Sequence, residues 1–292
     1  MKYTTTVRGL ALSLCLLWSG CSVTNLQKTG TVEPGNFYAK LDFTTKKSVI
    51  VLEATVDGDV KNFLFDTGAD LTIVQRGNTQ GKTARYSGAS KRKMSLGKEV
   101  LYSFELGGVT FKNTNALNGD LAGLKEQIPG FGGIIGQPII SKANWLIDYP
   151  NKSLEVSNAD LADDSFEEIE LLRSEGAPYT YISVNGNRHK VIIDFGSSSV
   201  INLPEGSKLA KELADQIPLA DNQRERYTLG GLQRITEKVG VIPQVRLGSF
   251  SFEDVAVNIN TSSQPRIGIS FFRDYLIYID NINGAYKLKK AE

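Results

Sequence analysis

Apolar residues along this chain come in short runs bounded by glycine, asparagine and aspartate, the pattern of strands. Residues 47–56 and 179–184 are rich in β-branched and aromatic side chains. Each is followed or closed by a strong two-residue hairpin signal, Asp57-Gly58 in one case and Asn185-Gly186 in the other. Each therefore predicts a hairpin whose second strand, residues 62–65 or 190–193, runs into an aspartate. Helical patterning is confined to residues 137–144 and 207–217, so the predicted class is mainly β.

The same pattern occurs twice. Residues 56–74 lie on 184–202 without a gap at an offset of 128, with five of nineteen positions identical, which alone could be chance. Two further blocks in the same order make chance a poor explanation. Residues 85–111 lie on 226–252 at an offset of 141, both copies closing in Leu-Gly-x-x-x-Phe from Leu106 and Leu247. Ile135-Gly136 and Ile147-Asp148 lie on Ile267-Gly268 and Ile279-Asp280 at an offset of 132. The second copy gains thirteen residues inside the helix-like stretch 207–217 and loses nine later. The predicted organisation is two units, 36–157 and 168–290, joined by the acidic, small-residue linker 158–167.

The first 35 residues stand apart. Lys2 and Arg8 precede an apolar run, 10–18, and then Ser19-Gly20-Cys21, the order of a secretory signal too short to span a bilayer. A cysteine after small residues resembles the bacterial lipobox, although Trp18 stands where leucine is preferred. The resemblance implies removal of 1–20, lipidation of Cys21 and attachment to the cell envelope, with the outer membrane facing the periplasm as the expected site. Cys15 would leave with the signal. Residues 21–35, polar with Gly30, Pro34 and Gly35, read as a flexible tether.

Composition then removes chemistry. With 292 residues, 41% hydrophobic and 22% charged, the chain suits a soluble protein with a sizeable core. A net charge of +1 provides no global field for nucleic acid, and one histidine with two cysteines cannot make a zinc cluster of His and Cys. No metal or cofactor is expected, and the doubled sequence predicts a monomer.

The residues that remain point to a family. An apolar strand, then Asp66-Thr67-Gly68-Ala69, then a polar residue and a second apolar strand resembles the catalytic turn of aspartic peptidases, both retroviral and pepsin-like. Ile134-Ile135-Gly136 and Arg266-Ile267-Gly268 resemble the apolar-apolar-Gly element packed beneath that turn, with Arg266 replacing an apolar residue, and 267–280 looks like the closing segment of pepsin-like enzymes. The resemblance implies two homologous acid-protease β-barrel lobes about a pseudo-two-fold axis. It also implies an endopeptidase in which Asp66 and Asp194 share a proton and activate a water. Two carboxylates in contact cannot both ionise easily, so a base and an acid coexist.

Thr67, Gly68, Ala69, Phe195, Gly196 and Ser197 would then support the dyad. The stretches Tyr86-Ser87-Gly88-Ala89 and Tyr227-Thr228-Leu229-Gly230-Gly231 would be flaps over an extended peptide. Gly68 and Gly196 suit a close backbone approach or a positive φ. Ser197 against Ala69 predicts an asymmetric dyad with Asp194 the more readily ionised. Phe195 departs from the family, since it cannot supply the interlobe hydroxyl bond; apolar packing is the expected substitute. That departure also motivates the alternative reading, a catalytically degenerate peptide-binding lipoprotein. Asp148 and Asp280 read as turn residues, His189 as a solvated or edge residue, and Lys91-Arg92-Lys93 as a solvated face near the first flap.

Overall fold

A computed structural model describes residues 27–88, 93–172, 176–228 and 231–292. The first half carries β1 (Thr31–Glu33), β2 (Tyr38–Asp42), β3 (Thr44–Lys46), β4 (Val49–Val56), β5 (Asp59–Phe65), β6 (Thr72–Gln75), β7 (Thr83–Ser87), β8 (Lys93–Leu106), β9 (Val109–Gly119), β10 (Phe131–Ile135), β11 (Asn144–Asp148) and β12 (Ser153–Ser157). The second carries β13 (Glu167–Ile169), β14 (Tyr179–Val184), β15 (Asn187–Asp194), β16 (Ile201–Pro204), β17 (Ala220–Thr228), β18 (Gly231–Leu247), β19 (Phe250–Asn260), β20 (Arg266–Gly268), β21 (Tyr275–Asp280) and β22 (Ala285–Lys290). The class is mainly β, as the short β-branched and aromatic runs predict. Short helices occupy Ala122–Lys125, Gln137–Ile140 and Lys208–Gln216, with a 3-10 turn at Ile269–Phe272. None of the described helices is long and apolar enough to cross a membrane.

The strands form three sheets. One runs β1-β9-β6-β10-β5-β4-β8-β7, with β3 on β4 and β8 also paired to β9. Another runs β14-β15-β20-β16-β19-β18-β17, and its β14–β18 pairing closes six strands into a barrel. From the hairpins β4–β5 and β14–β15 onward the two orders correspond strand for strand. The remaining sheet, β13-β22-β21-β11-β12-β2, draws strands from both halves and is joined at its centre by β11 and β21.

Local chemistry accounts for the hairpins. Asp57 and Gly58 have φ of 54° and 84°, and Asn185 and Gly186 have 49° and 79°. Both central residues of each turn are left-handed, the conformation that matches strand twist and that Asx-Gly pairs adopt at low cost. The turn reading of Asp148 and Asp280 also holds, since Asp148 Oδ1 accepts from Asn151 N at 3.1 Å and Asp280 Oδ1 from Asn283 N at 2.9 Å. The helix predicted over 207–217 forms at Lys208–Gln216, capped by Ser207 Oγ accepting from Ala210 N at 3.3 Å. The one predicted over 137–144 stops at Ile140, because Asn144 already begins β11.

Two expectations need correction. The described part of the supposed tether is docked on the fold. Gln27 is buried and its Nε2 donates to Asp70 O at 2.9 Å, while Thr31–Glu33 pair antiparallel with β9. The free edge of β9 offers main-chain partners that a polar segment can satisfy as well as any strand. His189 is buried rather than solvated, with Nε2 3.3 Å from Glu212 on the helix Lys208–Gln216. The thirteen residues gained in the second copy surround this helix, which shields β15 where the half-buried Lys61 on β5 pairs with the exposed Asp59.

The main core runs through both halves. Trp145 is buried against Phe65 and Phe111, with ring centroids 5.2 and 6.2 Å away. A second apolar cluster belongs to the first half alone and includes Leu71, Leu96, Leu117 and Ile134. It lines a cleft that also contains Asp66 and Asp194.

Candidate active site

The two aspartates stand at equivalent points. β5 ends at Phe65 and the chain turns at Asp66, whose N–H donates to Ile135 O on β10 at 3.0 Å. β15 ends at Asp194, whose parallel neighbour on β20 is Gly268. Both turns close by the same main-chain bond, Ala69 N to Asp66 O at 3.3 Å and Ser197 N to Asp194 O at 3.0 Å.

The turns meet face to face. A Cβ placed on Gly68 would lie 2.8 Å from Asp194 Cγ, and one on Gly196 would lie 2.3 Å from Asp66 Cγ. Neither glycine is left-handed, so close approach alone requires them, and the positive φ expected as an alternative is not used. Each glycine is the surface against which the opposite carboxyl rests.

The two carboxyls differ in surroundings. Asp66 is enclosed by protein with part of its surface toward a cleft, and its Oδ1 accepts from Gly68 N at 2.8 Å. Burial, followed by the charge of Asp194 and a hydrogen bond to it, holds the Asp66 carboxyl well above the usual carboxylate range. Asp194 is buried and accepts from Arg266 Nη1 at 2.5 Å, and Arg266 is itself buried. Arg266 is steadied by weaker bonds from Nε to Gln264 O and from Nη2 to Ser263 Oγ, each 3.4 Å. The side chain in contact with Asp194 is Arg266, and Ser197 contributes its main-chain N–H to the turn, so the surroundings of the two carboxyls differ through Arg266 and not through the Ser197 hydroxyl.

Behind the dyad, Thr67 joins the halves. Its side chain is fully buried, donating to Ile193 O at 2.8 Å and accepting from Phe195 N at 3.0 Å. Gln137 Nε2 donates to Thr67 O at 2.7 Å. Phe195, at the position corresponding to Thr67, is also fully buried and packs edge-on against Phe272 at 5.7 Å. The phenyl ring therefore fills core space and does not line the cleft. Replacing Thr67 with valine keeps the volume and leaves Phe195 N–H buried without its acceptor, an expected loss of about 1–3 kcal/mol in denaturant unfolding. A variant as stable as the parent would remove Thr67 from the brace.

In front of the dyad lies a cavity of about 290 Å³ that includes both aspartates, Gly68, Ala69, Gly196 and Ser197. Tyr86, Gly88, Tyr227 and Thr228, from the two β-ribbons predicted as flaps, also line it. Ser87 lies in β7, while Ala89, Leu229 and Gly230, like Cys21, fall outside the described residues. Gly231 is placed elsewhere: its Cα would be 2.6 Å from a Cβ on Gly123, so that end of the second ribbon rests on the helix Ala122–Lys125.

The cleft has two unlike sides. The first half contributes Leu64, Leu71, Ile73, Leu96, Leu117 and Ile134. The second contributes Ser199, Asn202, Arg224, Arg226 and Arg266. At the repeat offsets Leu71 corresponds to Ser199, Leu96 to Glu237, Leu117 to Asn258 and Ile134 to Arg266. A packed apolar cluster is thereby exchanged, position by position, for a polar network. Glu237 is buried and accepts from Arg224 Nε at 2.6 Å, Asn258 Nδ2 at 3.0 Å and Asn260 Nδ2 at 3.1 Å.

Of these residues only Arg266 stands out in the sequence, as a departure from an apolar position; Arg224, Arg226, Asn202 and Gln137 carry no motif there. The signal available was the alternation in β17, which puts Asn222, Arg224, Arg226 and Thr228 on one face. Among the described residues no group of three or more His, Cys, Asp or Glu is placed to hold a metal ion. No protein-family model matches the chain, and no curated protein matches it.

Proposed function

We propose that the chain is a single-chain, two-lobed aspartic endopeptidase that hydrolyses a peptide bond with a water activated by Asp66 and Asp194. The observation that carries the reading is the reciprocal arrangement of the two turns, each carboxyl resting on the other's glycine, with Asp66 positioned to hold the proton. In this scheme the water attacks the carbonyl carbon and passes its proton to Asp194. Asp66 protonates the carbonyl oxygen, and collapse of the tetrahedral intermediate breaks the C–N bond with proton delivery to the leaving nitrogen. The substrate would lie extended between the dyad and the ribbons β7–β8 and β17–β18.

The two-lobe, pseudo-two-fold reading draws support from the matched strand orders and from the central register. Leu146 pairs with Tyr278, its own counterpart at the offset of 132, and Ile147 pairs with Ile277, the counterpart of Trp145. A two-fold axis passing between β11 and β21 would produce this register.

A second reading, peptide binding without turnover, is favoured by one contact: Arg266 occupies Asp194 Oδ2, an oxygen that a catalytic water could otherwise use. Incubation with a mixed peptide library, with and without a transition-state analogue of peptide hydrolysis, separates the two. Cleavage suppressed by the analogue supports the peptidase. Absence of cleavage from acid to neutral pH, with peptides retained, supports the binding protein.

Lipid anchoring through Cys21 to the cell envelope belongs to the same proposal. Cys21→Ser is expected to move the protein from the detergent phase to the aqueous phase on partitioning; an unchanged partition would remove the anchor.

A further inference from the structure

The geometry points to a carboxylate subsite on the second side of the cleft, in which Arg226, assisted by Arg224, receives an acidic side chain or a terminal carboxylate of a peptide lying across the dyad. The inference rests on the reading of the cleft as a peptide site and specifies which peptides it takes.

Three observations carry it. The first is the exchange described above, in which four apolar positions of the first half become Ser199, Glu237, Asn258 and Arg266 in the second. Apolar side chains would fill this space without leaving buried polar groups to satisfy, so a network of this kind is costly unless it recognises something polar.

The second observation is how the guanidiniums are partnered. Arg266 is paired with Asp194 and Arg224 with Glu237. Arg226 is half-buried, donates from Nη2 to the neutral Gln233 Oε1 at 3.1 Å, and has no carboxylate within ion-pair distance among the described residues. Burial and the neighbouring charges of Arg224 and Arg266 act against its protonated form, and Glu237 opposes them only partly. A guanidinium crowded by two others at the wall of a cleft is a site prepared for an anion.

The third is a pair of unmet hydrogen-bonding atoms. Arg226 Nε is buried with no acceptor, and Asn202 Oδ1 is buried with no donor. Asn202 is only 5% exposed, lines the same cavity and stands opposite Arg266 in the β16–β20 ladder. An acidic residue of a peptide brings both missing partners, a carboxylate for Arg226 and a main-chain N–H for Asn202. A neutral aliphatic residue brings only the N–H. The arrangement gives the two sides of the dyad opposite tastes, apolar toward Leu71 and Leu96 and anionic toward Arg226.

The test uses the full chain and a panel of otherwise identical peptides in which each position carries Glu or Gln and the C-terminus is free or amidated. A preference for Glu at one position, or for the free terminus, of about ten- to a hundredfold in kcat/KM is expected, the size of one charge-assisted bond. The position at which the preference falls distinguishes a side chain from a chain end. In Arg226→Gln the ratio of acidic to neutral peptide should fall to near one, and in Arg226→Lys it should be partly retained. Circular dichroism of each variant checks that the ribbon is intact. If the wild type cleaves Glu and Gln peptides alike, the subsite is overturned and the peptidase stands. If nothing is cleaved, the same panel is titrated by fluorescence anisotropy. Binding that favours the carboxylate and is lost in Arg226→Gln keeps the subsite while the peptidase reading fails, and binding without that preference overturns the subsite.

Discussion

Asp66→Asn and Asp194→Asn are each expected to lower peptide cleavage by at least about a thousandfold, and to move stability in opposite directions. Under the proposed peptidase mechanism the loss of rate follows from removing one member of an acid–base pair that would act as a unit. The stability difference follows from where the proton sits. Burial and the charge of Asp194 hold the Asp66 carboxyl well above its ordinary range. Between about pH 4 and that raised value the unfolded chain has released a proton that the folded chain keeps, so stability falls as pH rises.

Asparagine binds no proton in either state. Asp66→Asn should therefore match the wild type near pH 3 and gain on it through that window, by at most about 1.4 kcal/mol per pH unit. Asp194→Asn removes the partner of a buried guanidinium and should be destabilised at neutral pH. Thermal unfolding of the three proteins at pH 3, 5 and 7 gives the comparison. An Asp66→Asn protein that still cleaves, or that is less stable than the wild type at neutral pH, would contradict the dyad as described.

Much of this site can be read along the chain, and the reason is locality. Asp57-Gly58 and Asn185-Gly186 determine their turns through their own backbone preferences, and the aspartates follow a few residues on, at the ends of apolar strands. Whatever depends on neighbours within one hairpin is visible in sequence. The character of the cleft is not of this kind. Glu237, Asn258, Arg224 and Arg266 come from four strands and meet only through the registers of β17–β18, β18–β19 and β16–β20. In isolation each is an ordinary polar residue in a strand. Arg266 could be recognised as replacing an apolar residue, yet its target on Asp194 lies 72 positions away and depends on β15 and β20 running parallel. The burial of His189 is hidden in the sequence for a related reason. Its counterpart Lys61 is half-buried and paired with an exposed aspartate, and the helix that buries His189 has no equivalent in the first copy. The docking of residues 27–33 escaped because an open strand edge recruits partners through main-chain groups, which composition does not report.

Arg266→Leu is expected to have the second large effect, because it restores to the second half the apolar character that Ile134 gives the first. The substitution removes the only cation in contact with Asp194 among the described residues. Breaking a buried ion pair from one side leaves the other charge uncompensated, and costs of about 3–5 kcal/mol are typical. Arg266 also draws the Asp66 carboxyl downward, so its loss lets that group rise further. The pair titrates together, and with the cation gone it holds its protons to higher pH. Both limbs of the cleavage profile should then move to higher pH, with activity disappearing first on the acid side, while Tm at neutral pH falls. On the proposed mechanism the wild-type arginine would extend the singly ionised dyad toward acid conditions at the expense of occupying one oxygen of Asp194. If Arg266 instead blocks the catalytic water, its removal should raise cleavage at the optimum without moving the limbs. A profile that keeps its position while its height increases would assign Arg266 to suppression of turnover, and would make peptide binding the native role of the cleft.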